Sequence, residues 1–194
     1  MANVNSPFGL RPVGTIGSDT YNGKVEKFYV PSTDATAIGL GDPVKLAGGV
    51  IADGTRIATR AAAGDVVVGV MVGVEPLYGG DLTVTGRKAS TAMYIRVETD
   101  PMTIYEIQED SVGGAVSLAN GTKNASLILG TVDTTTWNGK TMLDSSTAAA
   151  TATLDLLMIR PVKSSDNTPA SSYCKWLVKL NLHQYASGVV RVGV

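Results

Sequence analysis

Apolar and polar positions alternate along this chain in the manner of short strands. Val25–Val30 is a first apolar run, stopped by Pro31. Pro43–Leu46 is a second, entered through Gly41-Asp42, with Val50-Ile51 beyond a turn at Gly48-Gly49. Val66–Val74 is nearly continuous and β-branched, which predicts a strand buried on both faces; Gly69 and Gly73 inside it predict bulges or a close backbone approach. Met93–Glu98 puts Met93, Ile95 and Val97 on one side and Tyr94, Arg96 and Glu98 on the other. Thr103–Gln108 resumes after an Asp100-Pro101 turn, and Thr151–Ile159 is the next long candidate. Lys175–His183 alternates most cleanly. Trp176, Val178, Leu180 and Leu182 face a core, and Lys175, Lys179, Asn181 and His183 face water or an interface.

Helical periodicity is weak by comparison. Ser145–Ala152 is rich in Ala, and Asp144 before it suits an N-cap, so two turns are expected there at most. Short strands punctuated by Gly, Asn-Gly and Pro predict an all-β fold, an antiparallel small barrel or sandwich. Residues 1–20 predict an extended N-terminal arm. Pro7 and Pro12 remove backbone donors and favour extended geometry, while Phe8, Leu10 and Val13 supply apolar side chains that a solvated tail would not need. Residues 21–194 then form a single β-rich body, and the Thr, Asn and Gly of residues 120–140 predict a long surface excursion from it.

Composition narrows the function classes. Of the 194 residues, 44% are hydrophobic and only 17% charged, low for a free enzyme of this size, and 22 glycines suit a body with many turns. The net charge of −1 offers no basic stripe with which to neutralise phosphates, so no nucleic-acid partner is expected. The longest apolar stretch, Val66–Val74, is far short of a membrane span, and no membrane partner is expected. Met1–Pro7 has neither a basic start nor an apolar run, so no signal peptide is expected and the protein is expected to be soluble and made in the cytoplasm. With that expectation the glycosylation patterns at Asn120 and Asn124 carry little meaning.

Candidate chemistry is sparse. A single His cannot build a metal site of the two- or three-His type, and His183 on its alternating strand suits a wet face better than a general base. No Gly-x-Ser-x-Gly elbow is present, and Gly39-Leu40-Gly41 and Gly14/Gly17 lack the following helix that a phosphate cradle needs. Glu106, Glu109 and Asp110 suit the solvated end of a strand better than paired catalytic carboxylates. Cys174, among Tyr173 and Trp176, is expected to be a buried, inert thiol. No catalytic residue, metal or cofactor is therefore expected.

Several stretches resemble a known group. Asn5-Ser6-Pro7-Phe8-Gly9-Leu10-Arg11-Pro12-Val13, followed by Tyr29-Val30-Pro31-Ser32-Thr33-Asp34, resembles the start of structural proteins of tailed bacteriophages. Gly41-Asp42-Pro43-Val44-Lys45-Leu46, Ala63-Gly64-Asp65 and Val68–Val74 are similar to a recurring pattern in lambda-type head decoration (cement) proteins. Asp100-Pro101, Glu106–Asp110 and Lys175–Gln184 look like the same phage structural group, although this chain is considerably longer than the small lambda-type proteins. The resemblance implies a β-tulip-like body, with a jelly roll as the alternative. It also implies a non-enzymatic protein on the outside of the virion head, whose partners are the major capsid protein and itself, as a homotrimer or a dimer.

A cement protein ties neighbouring capsid subunits together against the pressure of the packed genome. On this reading Pro7, Phe8, Leu10, Arg11, Pro12 and Val13 are the arm residues that meet the shell. The alternative is another virion β-sandwich module, at the head–tail junction or on a fibre, binding a partner protein or a host glycan. For a glycan the only evident platform is Trp137. A small enzyme is the remaining class, and no constellation supports it.

Overall fold

The computed structural model describes residues 3–17, 20–77 and 80–186 and is all-β. The strands are β1 (Arg11–Thr15), β2 (Glu26–Val30), β3 (Pro43–Val50), β4 (Arg56–Arg60), β5 (Gly69–Glu75) and β6 (Met93–Glu98). They continue as β7 (Thr103–Gln108), β8 (Asn124–Ala125), β9 (Leu127–Ile128), β10 (Met142–Leu143), β11 (Leu156–Pro161) and β12 (Lys175–Leu180). A closed barrel runs β2-β4-β3-β5-β6, an open sheet runs β1-β7-β12-β11-β8, and β9 and β10 form a small ribbon. The pairings are antiparallel except for the contact of β2 with β4 at Tyr29 and Ile57.

Each sheet buries its own apolar face. Phe28, Val30, Val44, Ala58, Ile95 and Val97 fill the barrel. Leu10, Tyr105, Ile107, Leu156, Trp176 and Val178 fill the second core, under the open sheet. The stretch before and into β5 serves both. Val67 and Val70 belong to the sheet core, whereas Val68 and Met71 belong to the barrel core. Gly69 lets the two phases meet, because a Cβ there would lie 1.9 Å from the Glu98 carbonyl oxygen. At residues 67–71 the double burial expected of Val66–Val74 is met; Val66 itself is 52% exposed.

The N-terminal segment is extended as expected, but it is not an arm apart from the body. Residues 11–15 form the edge strand of the open sheet, with Arg11 opposite Glu106 and Thr15 opposite Thr103. Pro12 is tolerated because β1 lies at an edge, where a missing donor costs least. The barrel is thus an insertion between two strands, β1 and β7, that pair with each other. Gly9 and Gly41 cross backbone to backbone; a Cβ on either would approach the other's Cα at 2.8 Å, and Leu10 N donates to Gly41 O at 2.8 Å.

Other expectations are corrected. Gly48 and Gly49 do not turn the chain; they sit at a register shift inside the continuous β3. The predicted helix at 145–152 shortens to a 3-10 turn at Ser145–Thr147, still capped by Asp144, which accepts from Ser146 N at 3.0 Å. Residues 120–140 are only partly at the surface: Thr134–Thr136 are exposed, whereas Asn124, Ala125, Leu127 and Val132 are buried. Lys179, Asn181 and His183 are buried as well. The backbone explains why at His183: Val67 N donates to Leu182 O at 2.9 Å and Gln184 N donates to Val67 O at 2.7 Å, which closes the barrel against the end of this strand.

Asp42 fastens the barrel to the 130–141 segment. Its carboxylate is fully buried and accepts from Gly39 N at 2.9 Å, Thr141 Oγ1 at 2.7 Å and the Arg60 guanidinium at 2.9 Å. Arg60 also donates to Gly130 O at 2.7 Å. Burial pushes the Asp42 carboxyl above the ordinary range despite the Arg60 charge, so the pair ties elements together without a large net gain. Removing one partner is different, because it strands the other charge. Asp42→Ala is expected to lower unfolding stability by about 3–5 kcal/mol, measured by urea denaturation. A loss below about 1 kcal/mol would show that Arg60 finds sufficient solvation elsewhere.

Candidate interaction surface

The first residues of the described chain are laid over the open sheet by polar contacts at intervals. Asn3 exchanges hydrogen bonds with the backbone of Thr168, at 3.0 and 2.7 Å. Gln108 accepts from Ser6 N at 3.0 Å and donates to Asn5 Oδ1 at 3.1 Å. Arg11 pairs with Glu106 at 2.7 Å and stacks its guanidinium 4.8 Å from the centre of the Phe8 ring.

Phe8 stands between two clefts. One, of about 330 Å³, lies between this segment and Tyr173, Lys175 and Gln108. The other, of about 450 Å³, lies between the segment and the barrel, against Leu40, Met71 and Asn138. Phe8 and Arg11 line both.

The six sequence-predicted partner residues therefore divide. Phe8 and Arg11 form a ridge between the two clefts, with the Arg11 side chain 59% exposed and Phe8 half-buried. Pro7 and Pro12 are half-buried beside it. Val13 faces a separate groove with Ile104 and Leu177. Leu10 is withdrawn from any partner: it is 1% exposed and belongs to the sheet core, because the Gly9–Gly41 crossing turns it inward.

The titratable candidates serve the fold. Glu106, Glu109 and Asp110 are buried rather than solvated, and each has its own partners. Glu106 takes Arg11; Glu109 accepts from Trp176 Nε1 at 2.9 Å and Val116 N at 3.2 Å; Asp110 accepts from Ser145 Oγ at 2.8 Å and Ser145 N at 3.0 Å. Cys174 is fully buried, and burial together with the Glu109 charge pushes its thiol up to about 11. A thiol held that high carries almost no thiolate at neutral pH and is a poor nucleophile.

Trp137 is half-buried against Gly86, and its backbone bridges Leu40 and Asp133, so it is no open stacking platform. Among the described residues no group of three or more His, Cys, Asp and Glu side chains could hold a metal ion, and no helix is long and apolar enough to cross a membrane.

Sequence reasoning missed the polar seam where barrel and sheet meet. Glu98 is 1% exposed and accepts from Asp100 N at 2.9 Å and Thr103 Oγ1 at 3.2 Å. Burial, with the nearby Glu98 charge, raises the Tyr105 hydroxyl well above its usual value. The clean alternation of Met93–Glu98 hid this, because it grouped Glu98 with Tyr94 and Arg96, opposite the apolar side.

Comparison with protein-family models, with curated proteins and with solved structures finds no match to this chain.

His183 generates a pH prediction. Burial, reinforced by the Lys179 ammonium and opposed by Asp100, lowers its pKa from 6.5 to about 4. The unfolded ring takes up its proton first, so the native state keeps the full contribution above pH 6.5 and loses it as pH falls toward 4. Between pH 7 and 5 the loss is expected to be about 2 kcal/mol. His183→Gln should flatten that slope. The comparison cancels Asp42, Glu109 and Asp155, whose burial-raised carboxyls act in the opposite direction. Equal slopes for both proteins in denaturant titrations would show the ring to be solvated.

Proposed function

We propose that this chain is a structural decoration protein of a tailed-bacteriophage head. It binds the outside of the shell and bridges neighbouring major capsid subunits, as a homotrimer. The observation that carries the reading is the Phe8–Arg11 ridge. It lies in the stretch of sequence that resembles phage structural proteins, and it stands between two clefts on an all-β body.

The physical requirements of the role fit the molecule. A cement protein needs no reaction centre; it needs stiffness and a surface that grips. Two β cores fastened by buried polar contacts supply the first. A preformed ridge supplies the second with little ordering cost on binding, because Asn3, Ser6 and Arg11 are already held. Each subunit contact can be weak, since a trimer that engages several capsid subunits gains about 10²–10⁴ in avidity.

Deleting residues 1–20 would remove Leu10 from the core and β1 from the sheet, so a point variant is the cleaner test. Purified protein should co-sediment with undecorated expanded heads and saturate at a fixed, high ratio to the capsid protein. Phe8→Ala combined with Arg11→Lys, which keeps a cation beside the buried Glu106, should weaken that binding about tenfold or more while leaving the thermal melt nearly unchanged. Saturation at a handful of copies would instead favour a part at one vertex, and no binding would reject the decoration role.

A further inference from the structure

The open sheet has one face on the core and one face free of it. Alternation along β12 sends Trp176 and Val178 into the core and leaves Leu177 on the other side. On β7, Tyr105 and Ile107 are in the core and Ile104 is across from it. Leu177, Ile104 and Val13 floor a groove of about 420 Å³, which runs on past Arg160, Val162 and Lys163. A second hollow of about 590 Å³ shares those last three residues and continues over Pro161 to Leu118, which is 59% exposed. Sharing Arg160, Val162 and Lys163, the two hollows meet at the end of β11 in a trough of mixed apolar and basic lining.

The charges around the trough are unbalanced. Glu106, the carboxylate in its lining, is committed to Arg11 at 2.7 Å. Arg160 reaches only the Pro161 carbonyl, at 3.4 Å, and neither Arg160 nor Lys163 has a carboxylate in ion-pair range among the described residues. Both side chains are exposed.

We infer that this trough receives an extended, acidic segment of a partner protein. Side chains of an extended segment alternate, so apolar residues can rest on Val13, Ile104 and Leu177 while intervening carboxylates reach Arg160 and Lys163. A guanidinium matches a carboxylate in a bidentate pair, and the apolar floor beneath lowers the local dielectric and strengthens it. Two cations over this trough suit neither a nucleic-acid backbone, which needs a longer basic track, nor a bilayer, which needs a protruding apolar face. The trough is separate from the Phe8–Arg11 ridge, and its partner need not be a capsid shell.

The test uses the full chain and a fluorescein-labelled peptide of alternating valine and glutamate, followed by fluorescence anisotropy at low ionic strength. The wild type is expected to bind it at least about tenfold more tightly than the same peptide with lysine for glutamate. Arg160→Glu with Lys163→Glu should reverse that preference, and Arg160→Gln with Lys163→Gln should abolish it; the Gln pair also decides the matter if the charge reversal fails to fold. Equal binding of the two peptides by the wild type, or an unchanged preference in the Gln variant, would overturn the inference. So would tighter capture of an oligothymidine or of phosphatidylglycerol vesicles than of the acidic peptide.

Discussion

A carboxylate with no access to water holds the two halves of this molecule in register. Asp42 lies at the start of β3, and every oxygen of its side chain is engaged: by the backbone of Gly39, by Thr141 and by Arg60. Its own carbonyl accepts from Met71 N at 2.9 Å, and Gly41 N donates to Met71 O at 2.8 Å. The node therefore fixes β5 against β3 at the place where β5 changes core. From there Val67 and Val70 reach one apolar cluster and Val68 and Met71 the other. Neither core could shift relative to the other without breaking charge-assisted bonds in a low-dielectric interior.

This arrangement explains what the chain reveals of itself before folding. Strands with one clean apolar face were legible, so Met93–Glu98, Thr103–Gln108 and most of Lys175–His183 fall where alternation puts them. β4 was hidden because Arg56-Ile57-Ala58-Thr59-Arg60 buries only Ala58 deeply and carries a cation at each end. β1 was hidden by Pro12 and Gly14, which argue against a strand in isolation and are tolerated at a sheet edge. The buried acids were misjudged for a different reason. Glu109 depends on Trp176, Glu106 on Arg11 and Asp110 on Ser145, all distant in sequence, so the cluster looked solvated until the topology brought its partners in.

The surface residues show the same division. Phe8 and Arg11 were legible as contact candidates, because an apolar aromatic and a cation in a Pro-bounded segment have no local use. Leu10 had the same signature, yet its fate was decided by a glycine crossing that no local pattern encodes. Arg160 and Lys163 were not legible at all. Their interest lies in lining the same groove as Val13, Ile104 and Leu177, residues distant in sequence that only the topology brings together.

The proposed decoration role requires that load applied at the ridge be carried by both halves together. Differential scanning calorimetry of the full chain tests this most directly. The account predicts one endotherm whose calorimetric and van't Hoff enthalpies agree, a ratio of about 1. Two resolved endotherms, with the barrel melting apart from the open sheet, would contradict it and leave a flexible pair of modules where the account requires one stiff body.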